Sequence, residues 1–123
     1  MNNASAVDIL ARGLRKYGEL ATAGNNIEKI LKKHCITDRI CVKNVNRMRL
    51  IEAITLHGAI LEENINEQSC VAVVNTGKMN AVRALVAIVL KKDAVQFAAY
   101  AKEGLIKQGL AQGAIEKIKK ELT

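Results

Sequence analysis

The chain has 123 residues, of which half are apolar and a quarter charged, and it carries a formal net charge of +7 and no proline. This length and composition fit one folded domain with its own core, and they exclude a largely disordered chain. The abundance of helix-forming residues and the lack of proline favour helices, so we expect a single helical domain over residues 1–123.

The first predicted element is a helix over residues 5–23. Ser5 is followed three residues later by Asp8, which resembles a capping box, and an apolar stripe continues from there toward Gly24. A glycine and asparagine turn at 24–26 then ends this helix. We expect a short second helix after the turn, with one apolar face and lysines around the rest.

Residues 39–45 have two interpretations. If they form a helix, Arg39, Lys43 and Arg47 stack at intervals of four and make a cationic ridge. They can instead form a strand, which the three β-branched residues of the segment favour, and Asn46 then caps the helix that follows. We prefer the helix.

Apolar spacing predicts a long amphipathic helix over residues 47–66. Residues 69–74 form either a short buried strand or the start of another helix, because their periodicity does not decide. A helix over 79–92 is apolar around most of its circumference and is expected at the centre of the fold. Further helices are predicted over 93–106 and toward the C-terminus.

The predicted fold class is therefore mainly α, a compact bundle of about five to six helices. The alternative is an α+β fold with two short strands near 39–45 and 69–74. The longest apolar run, residues 84–90, is far too short to cross a bilayer, so we expect no membrane partner.

No motif for catalysis is complete. Gly77 and Lys78 imitate the end of a phosphate-binding loop, but Ala72 replaces its first glycine and Met79 replaces the Ser or Thr that would reach magnesium. We therefore predict no enzyme activity. The competing hypothesis, an enzyme with an unrecognised site, would use His57, Glu62 or Lys78.

The three cysteines, Cys35, Cys41 and Cys70, are odd in number and lack the paired spacing of a zinc site or a disulfide framework. Free thiols fit a reducing compartment, so we expect a cytoplasmic protein. No metal and no cofactor are predicted.

The strongest functional signal is a basic tract over residues 29–49, in which seven cations stand against Asp38 alone. Several cations on one surface neutralise neighbouring phosphates together, and asparagine can add hydrogen bonds to phosphate, sugar or bases. The tract holds no aromatic residue for base stacking, so we expect backbone contacts with weak sequence specificity. The predicted nucleic-acid-binding residues are Lys29, Lys32, Lys33, Arg39, Lys43, Asn46, Arg47 and Arg49.

In size, charge and predicted helicity, the chain resembles the small helical subunits that line nucleic acid in nucleoprotein machines such as CRISPR effector complexes. If residues 39–45 and 69–74 are strands, the β-α-β order looks more like an Alba-type chromatin domain. Both resemblances imply phosphate contacts and therefore a non-enzymatic nucleic-acid-binding module. The alternative is a helical assembly or adaptor protein, whose C-terminal helices bind a protein partner or a second copy of the chain.

Overall fold

The computed structural model describes residues 5–17, 29, 31, 33–102 and 109–123. Five strands form one antiparallel sheet: β1 (Ile36–Cys41), β2 (Gly58–Asn64), β3 (Ser69–Thr76), β4 (Val82–Lys91) and β5 (Ala94–Tyr100). Their order in the sheet is β1-β5-β4-β3-β2, so β1 and β2 lie at its two edges. The helices with defined bounds are α1 (Ala6–Tyr17), α2 (Arg47–Thr55) and α3 (Leu110–Leu122).

Helices cover both faces of the sheet. On one face α1 packs against β3, β4 and β5, and on the other α2 lies against β2 while α3 crosses β1, β3, β4 and β5. Each face has its own core, one centred on Leu10 and Leu85 and the other on Phe97 and Ile115. The fold is therefore an α+β fold of three layers, with the sheet in the middle.

The predicted helix bundle is wrong because its central helices are strands. Residues 84–89 of β4 are at most 1% exposed, since both sides of this strand are covered. Such a strand has no alternation of polar and apolar residues, and a short apolar run cannot be told from a buried helix by periodicity. The helices predicted over 79–92 and 93–106 are, in the described part of the chain, β4 and β5 joined by a tight turn.

The long helix predicted over 47–66 is also wrong. Helix α2 ends at Thr55, and Gly58 begins β2. A Cβ atom added at Gly58 would lie 1.9 Å from the carbonyl oxygen of Val73, so β3 approaches β2 too closely for any other residue. Ile54 and Leu61 keep a helical spacing across this junction, yet they pack into the two different cores.

The α+β class that the sequence left as an alternative is the class the structure has, with five strands instead of two. Near residues 39–45, the strand is β1 and begins earlier, at Ile36. Near residues 69–74, it is β3, which continues to Thr76. The predicted ridge of cations on a helix is therefore wrong, since Arg39 lies on a strand and Lys43 in a loop.

The start of α1 and the C-terminal helix are present where local sequence signals predict them. At the start of α1, the Asp8 amide donates to Ser5 Oγ at 3.2 Å, and the Ser5 amide donates to the Asp8 carboxylate at 3.1 Å. The Ser5 amide and, second, the Ser5 hydroxyl, which donates to the same carboxylate at 2.9 Å, lower the pKa of Asp8. The predicted C-terminal helix is present as α3.

Two predicted features lie wholly or partly outside the described residues. The predicted extension of the first helix over residues 18–23 lies outside them. Most of the predicted second helix also lies outside them, while its residues Lys29, Leu31 and Lys33 are described and helical.

Gly109 adopts a φ of 66° immediately before α3, a left-handed conformation that glycine adopts without strain.

Candidate nucleic-acid interface

The middle of the basic tract, residues 36–41, forms one open edge of the sheet as strand β1. β1 pairs with β5 on one side, and among the described residues no strand pairs with its other side. After β1 the tract passes through the loop 42–46 and into the first turn of α2. The tract therefore divides into an edge strand, a loop and a helix start, and its cations meet different surroundings.

Arg39 and Lys43 are exposed. Successive side chains of a strand point to opposite faces, so Arg39 projects away from the face on which Asp38 meets α3. There it lines a shallow open cleft with Ala6 and Val7 from the start of α1. Within the described part of the chain, neither Arg39 nor Lys43 forms a salt bridge.

Asp38, the one acid of the tract, is bound by α3. Its carboxylate accepts hydrogen bonds from Lys119 Nζ at 2.8 Å and from Gln112 Nε2 at 3.2 Å. The other carboxylate oxygen accepts the backbone N–H of Arg39 at 2.7 Å. The Lys119 contact is the main cause that lowers the pKa of Asp38. Because a lysine from α3 neutralises this acid, it does not offset the charge of Arg39.

The tract's last three predicted site residues form hydrogen bonds with other residues of the same chain. Asn46 caps α2, since its Oδ1 accepts the Arg49 amide at 2.9 Å. Arg49 donates through Nη2 to the carbonyl oxygen of Leu122 at 2.9 Å, and Arg47 donates to Glu63 on β2 at 2.8 Å. These contacts hold α2 against β2 and the end of α3. The arginine side chains stabilise the fold before any partner is present.

The first three predicted site residues precede β1. Lys29 and Lys33 are exposed, while Lys32 lies outside the described residues. Lys33 stands three residues before β1 begins and Lys43 two residues after it ends, while Arg39 lies on the edge strand itself. Even fully extended, the ten-residue step from Lys33 to Lys43 spans at most about 36 Å.

Lys92 is a neighbour that the sequence did not indicate. It is exposed in the turn between β4 and β5, beside Asp93. The Val42 amide donates to the Asp93 carbonyl at 3.1 Å, which attaches this turn to the loop that carries Lys43. No local signal could have shown this, because the two segments meet only through the pairing of β1 with β5.

The residues of the enzyme hypothesis do not come together in the described part of the chain. His57 Nε2 lies 3.2 Å from Glu121 Oε1, while the Glu62 carboxylate accepts from Lys16 Nζ at 2.7 Å. Lys78 is exposed in the connection between β3 and β4. In residues 5–17, 29, 31, 33–102 and 109–123, no three or more His, Cys, Asp and Glu side chains form a group that could hold a metal ion.

The cysteine thiols differ in exposure. Cys41 is exposed on β1, Cys35 is half-buried and Cys70 is buried, and all three are free. Burial raises the pKa of the Cys70 thiol to about 12, so it stays protonated at neutral pH. Cys70 therefore acts as a small apolar core residue.

Comparison with protein-family models, curated proteins and solved structures found no match to this chain. The resemblance to helical subunits of CRISPR effector complexes depended on helicity, and the five-stranded sheet removes that basis. The second resemblance took residues 39–45 and 69–74 as the two strands of a β-α-β order; these segments correspond to β1 and β3, and strand β2 as well as α2 lies between them in the chain. Among the described helices, none is long and apolar enough to span a membrane.

Proposed function

We propose that this chain is a non-enzymatic, cytoplasmic module that binds the phosphate backbone of nucleic acid along the open edge of its sheet. The surface is formed by Lys33, Arg39 and Lys43, and these three residues are named the basic edge. One observation carries the proposal: Arg39 and Lys43 are exposed and form no salt bridge among the described residues, while Asp38 is neutralised by Lys119.

Electrostatics makes such a surface suited to a polyanion. Each cation that neutralises a phosphate releases condensed counterions, and the logarithm of affinity falls by about 0.9 per contact for each tenfold rise in salt on duplex DNA. Three contacts therefore predict an affinity loss of about 40-fold between 50 and 200 mM salt. Few contacts also mean modest affinity, in the range of about 10⁻⁴ to 10⁻⁶ M that is typical of non-specific binding.

Two matched variants separate the effect of charge position on binding from the effect of total charge. The first is the triple variant Lys33→Gln, Arg39→Gln and Lys43→Gln. The control carries Arg15→Gln, Lys78→Gln and Lys120→Gln, which are exposed residues on α1, in the β3–β4 connection and on α3. Each variant loses three positive charges, so both lower the formal net charge from +7 to +4.

We expect the basic-edge variant to bind a labelled DNA duplex at least about tenfold more weakly at low salt, with a shallower salt dependence. The control should keep most of its affinity. Fluorescence anisotropy across a salt series measures both quantities. Equal losses in the two variants would show that total charge, and not this edge, attracts the nucleic acid, and no binding by the wild-type chain would disprove the proposal.

The assembly hypothesis depended on apolar and glycine-rich C-terminal helices. In the described part of that region, the apolar residues of α3 are buried against the sheet and α2. They include Ala114, Ile115 and Ile118, each with 0% exposure. In residues 110–122, the apolar surface invoked for docking is therefore occupied within the chain, and this favours the basic edge as the site we propose.

A further inference from the structure

We infer that the nucleic acid bound at the basic edge is double-stranded. The inference rests on the proposed function and concerns the class of ligand at the same site. It starts from the aromatic side chains, because proteins that bind single strands without sequence preference combine a basic groove with aromatic rings on which successive bases stack.

All the phenylalanine and tyrosine residues of this chain contribute to the cores. The sequence has two tyrosines, one phenylalanine and no tryptophan. Phe97 is 1% exposed and Tyr100 is 8% exposed, and they belong to the two different cores. Tyr17, at the end of α1, is half-buried and packs against the core on the α1 side. The rings are therefore committed to stabilising the fold, and none stands on β1.

The faces of the sheet are equally occupied. A single strand can spread its bases across an open sheet face that carries aromatic residues. Here α1 covers one face, and α2 with α3 covers the other. In the described structure, the edge of β1 is the surface that stays open beside the basic tract. It carries charged side chains and no aromatic ring. Bases lying there would gain little from stacking.

Without stacking, a single strand binds at a disadvantage. It is flexible and must be ordered on the protein, which costs free energy that base contacts would normally offset. A duplex is already stiff over about 150 base pairs, so cations at fixed positions meet phosphates at fixed positions. It also presents one charge per about 1.7 Å of axis, against about 3.4 Å along each strand.

Two of the three cations, Arg39 and Lys43, are held on ordered structure. Arg39 lies on β1, whose six residues all pair with β5. The Val42 amide ties the following loop to Asp93, and Asn46 caps α2 at the other end of that loop. Lys43 is thereby attached on both sides. Because Arg39 and Lys43 are four residues apart, their Cα atoms lie within about 14 Å of each other.

The test compares one DNA sequence as a single strand and as a duplex. Each should be about 20 nucleotides long, which exceeds the ~4–16-nucleotide sites of single-strand binders. Anisotropy titrations at equal phosphate concentration are repeated over a salt series, with wild type, the basic-edge triple variant and Arg39→Lys. The last keeps the charge but removes the planar guanidinium that can stack on a base.

We expect the duplex to bind at least about threefold more tightly than the single strand. The logarithm of affinity should fall with the logarithm of salt concentration by about 0.9 per contact for the duplex and about 0.7 per contact for the single strand. Arg39→Lys should leave this preference unchanged. Equal or tighter binding of the single strand, or loss of its binding in Arg39→Lys, would overturn the inference while the proposed function stands. No binding of either DNA would overturn both, and a duplex preference retained by the triple variant would place the duplex site elsewhere.

Discussion

The two edges of the sheet carry charge in different ways. On β2 the carboxylates of Glu62 and Glu63 are matched by Lys16 from α1 and Arg47 from α2, at 2.7 and 2.8 Å. On β1 the acid is matched by Lys119, whereas Arg39 has no such partner within the described residues. Charges on edge strands discourage pairing with other chains. At β2 the charges also bind helices, while at β1 a cation stays available to a ligand.

The β2 edge is also irregular where β1 is regular. The register of β2 with β3 shifts between Ile60 and Glu62, and Gly58 allows the two strands to approach closely at the start. The register of β1 with β5 continues without a shift from Ile36 to Cys41. A bulged edge resists further pairing. The β2 edge is therefore less open to pairing with a further strand than the β1 edge.

Gly58→Ala should have the largest effect, because it breaks the β2 edge. The added Cβ would lie 1.9 Å from the Val73 carbonyl oxygen, so β2 and β3 must separate. We expect the free energy of unfolding to fall by about 3 kcal/mol or more, measured by urea denaturation. The exposed neighbour serves as the control, since Ala59→Ser should change stability by less than about 0.5 kcal/mol. A small loss in Gly58→Ala would mean that the two strands are not held this closely.

Arg12→Gln should have an intermediate effect and sharpen the contrast in function. Arg12 Nη2 lies 2.6 Å from the carboxylate of Glu67, a side chain that is 9% exposed in the turn after β2. Removing the charged partner of a buried carboxylate should cost about 1–3 kcal/mol of unfolding free energy. The matched control is Arg15→Gln on the same helix, which is exposed and forms no salt bridge among the described residues.

The Arg12→Gln variant should keep its affinity for duplex DNA, since Arg12 lies on the side of β2. Affinity is measured by anisotropy under conditions in which the variant is folded. The basic-edge triple variant should show the reverse, with weaker binding and little change in stability. If Arg12→Gln loses affinity as strongly as the triple variant does, the distinction between the two edges fails.

Asp38→Asn should have the smallest effect, and one that depends on pH. The pKa of Asp38 is lowered in the folded chain, so its contribution is complete above its unfolded pKa of about 3.9 and is lost as pH falls through the folded value. Near neutral pH, we expect the substitution to cost less than about 1 kcal/mol. Urea denaturation should show the two proteins converging below about pH 4, and a difference that grows on acidification would contradict this.

The site could be predicted as a segment but not as a surface. The tract's charge is visible in the sequence, whereas the cap that Asn46 forms followed only from the strand interpretation of residues 39–45 and not from the preferred helix. Which of its cations remain available depends on residues far along the chain. Arg47 donates a hydrogen bond to Glu63, and Arg49 donates one to the carbonyl oxygen of Leu122. Asp38 accepts a hydrogen bond from Lys119. These partners lie on β2 and α3, both outside the tract, so no window of the sequence contains the answer.

By itself, the sequence determined the features that depend on neighbouring residues. They are the capping box of Ser5 and Asp8, the C-terminal helix α3 and the concentration of cations over residues 29–49. Tertiary structure alone decided that residues 82–91 and 94–100 are strands. A segment covered on both faces shows no alternation, and its state depends on the strands beside it. The open edge that presents Arg39 exists because β1 pairs with β5, a contact between distant parts of the chain.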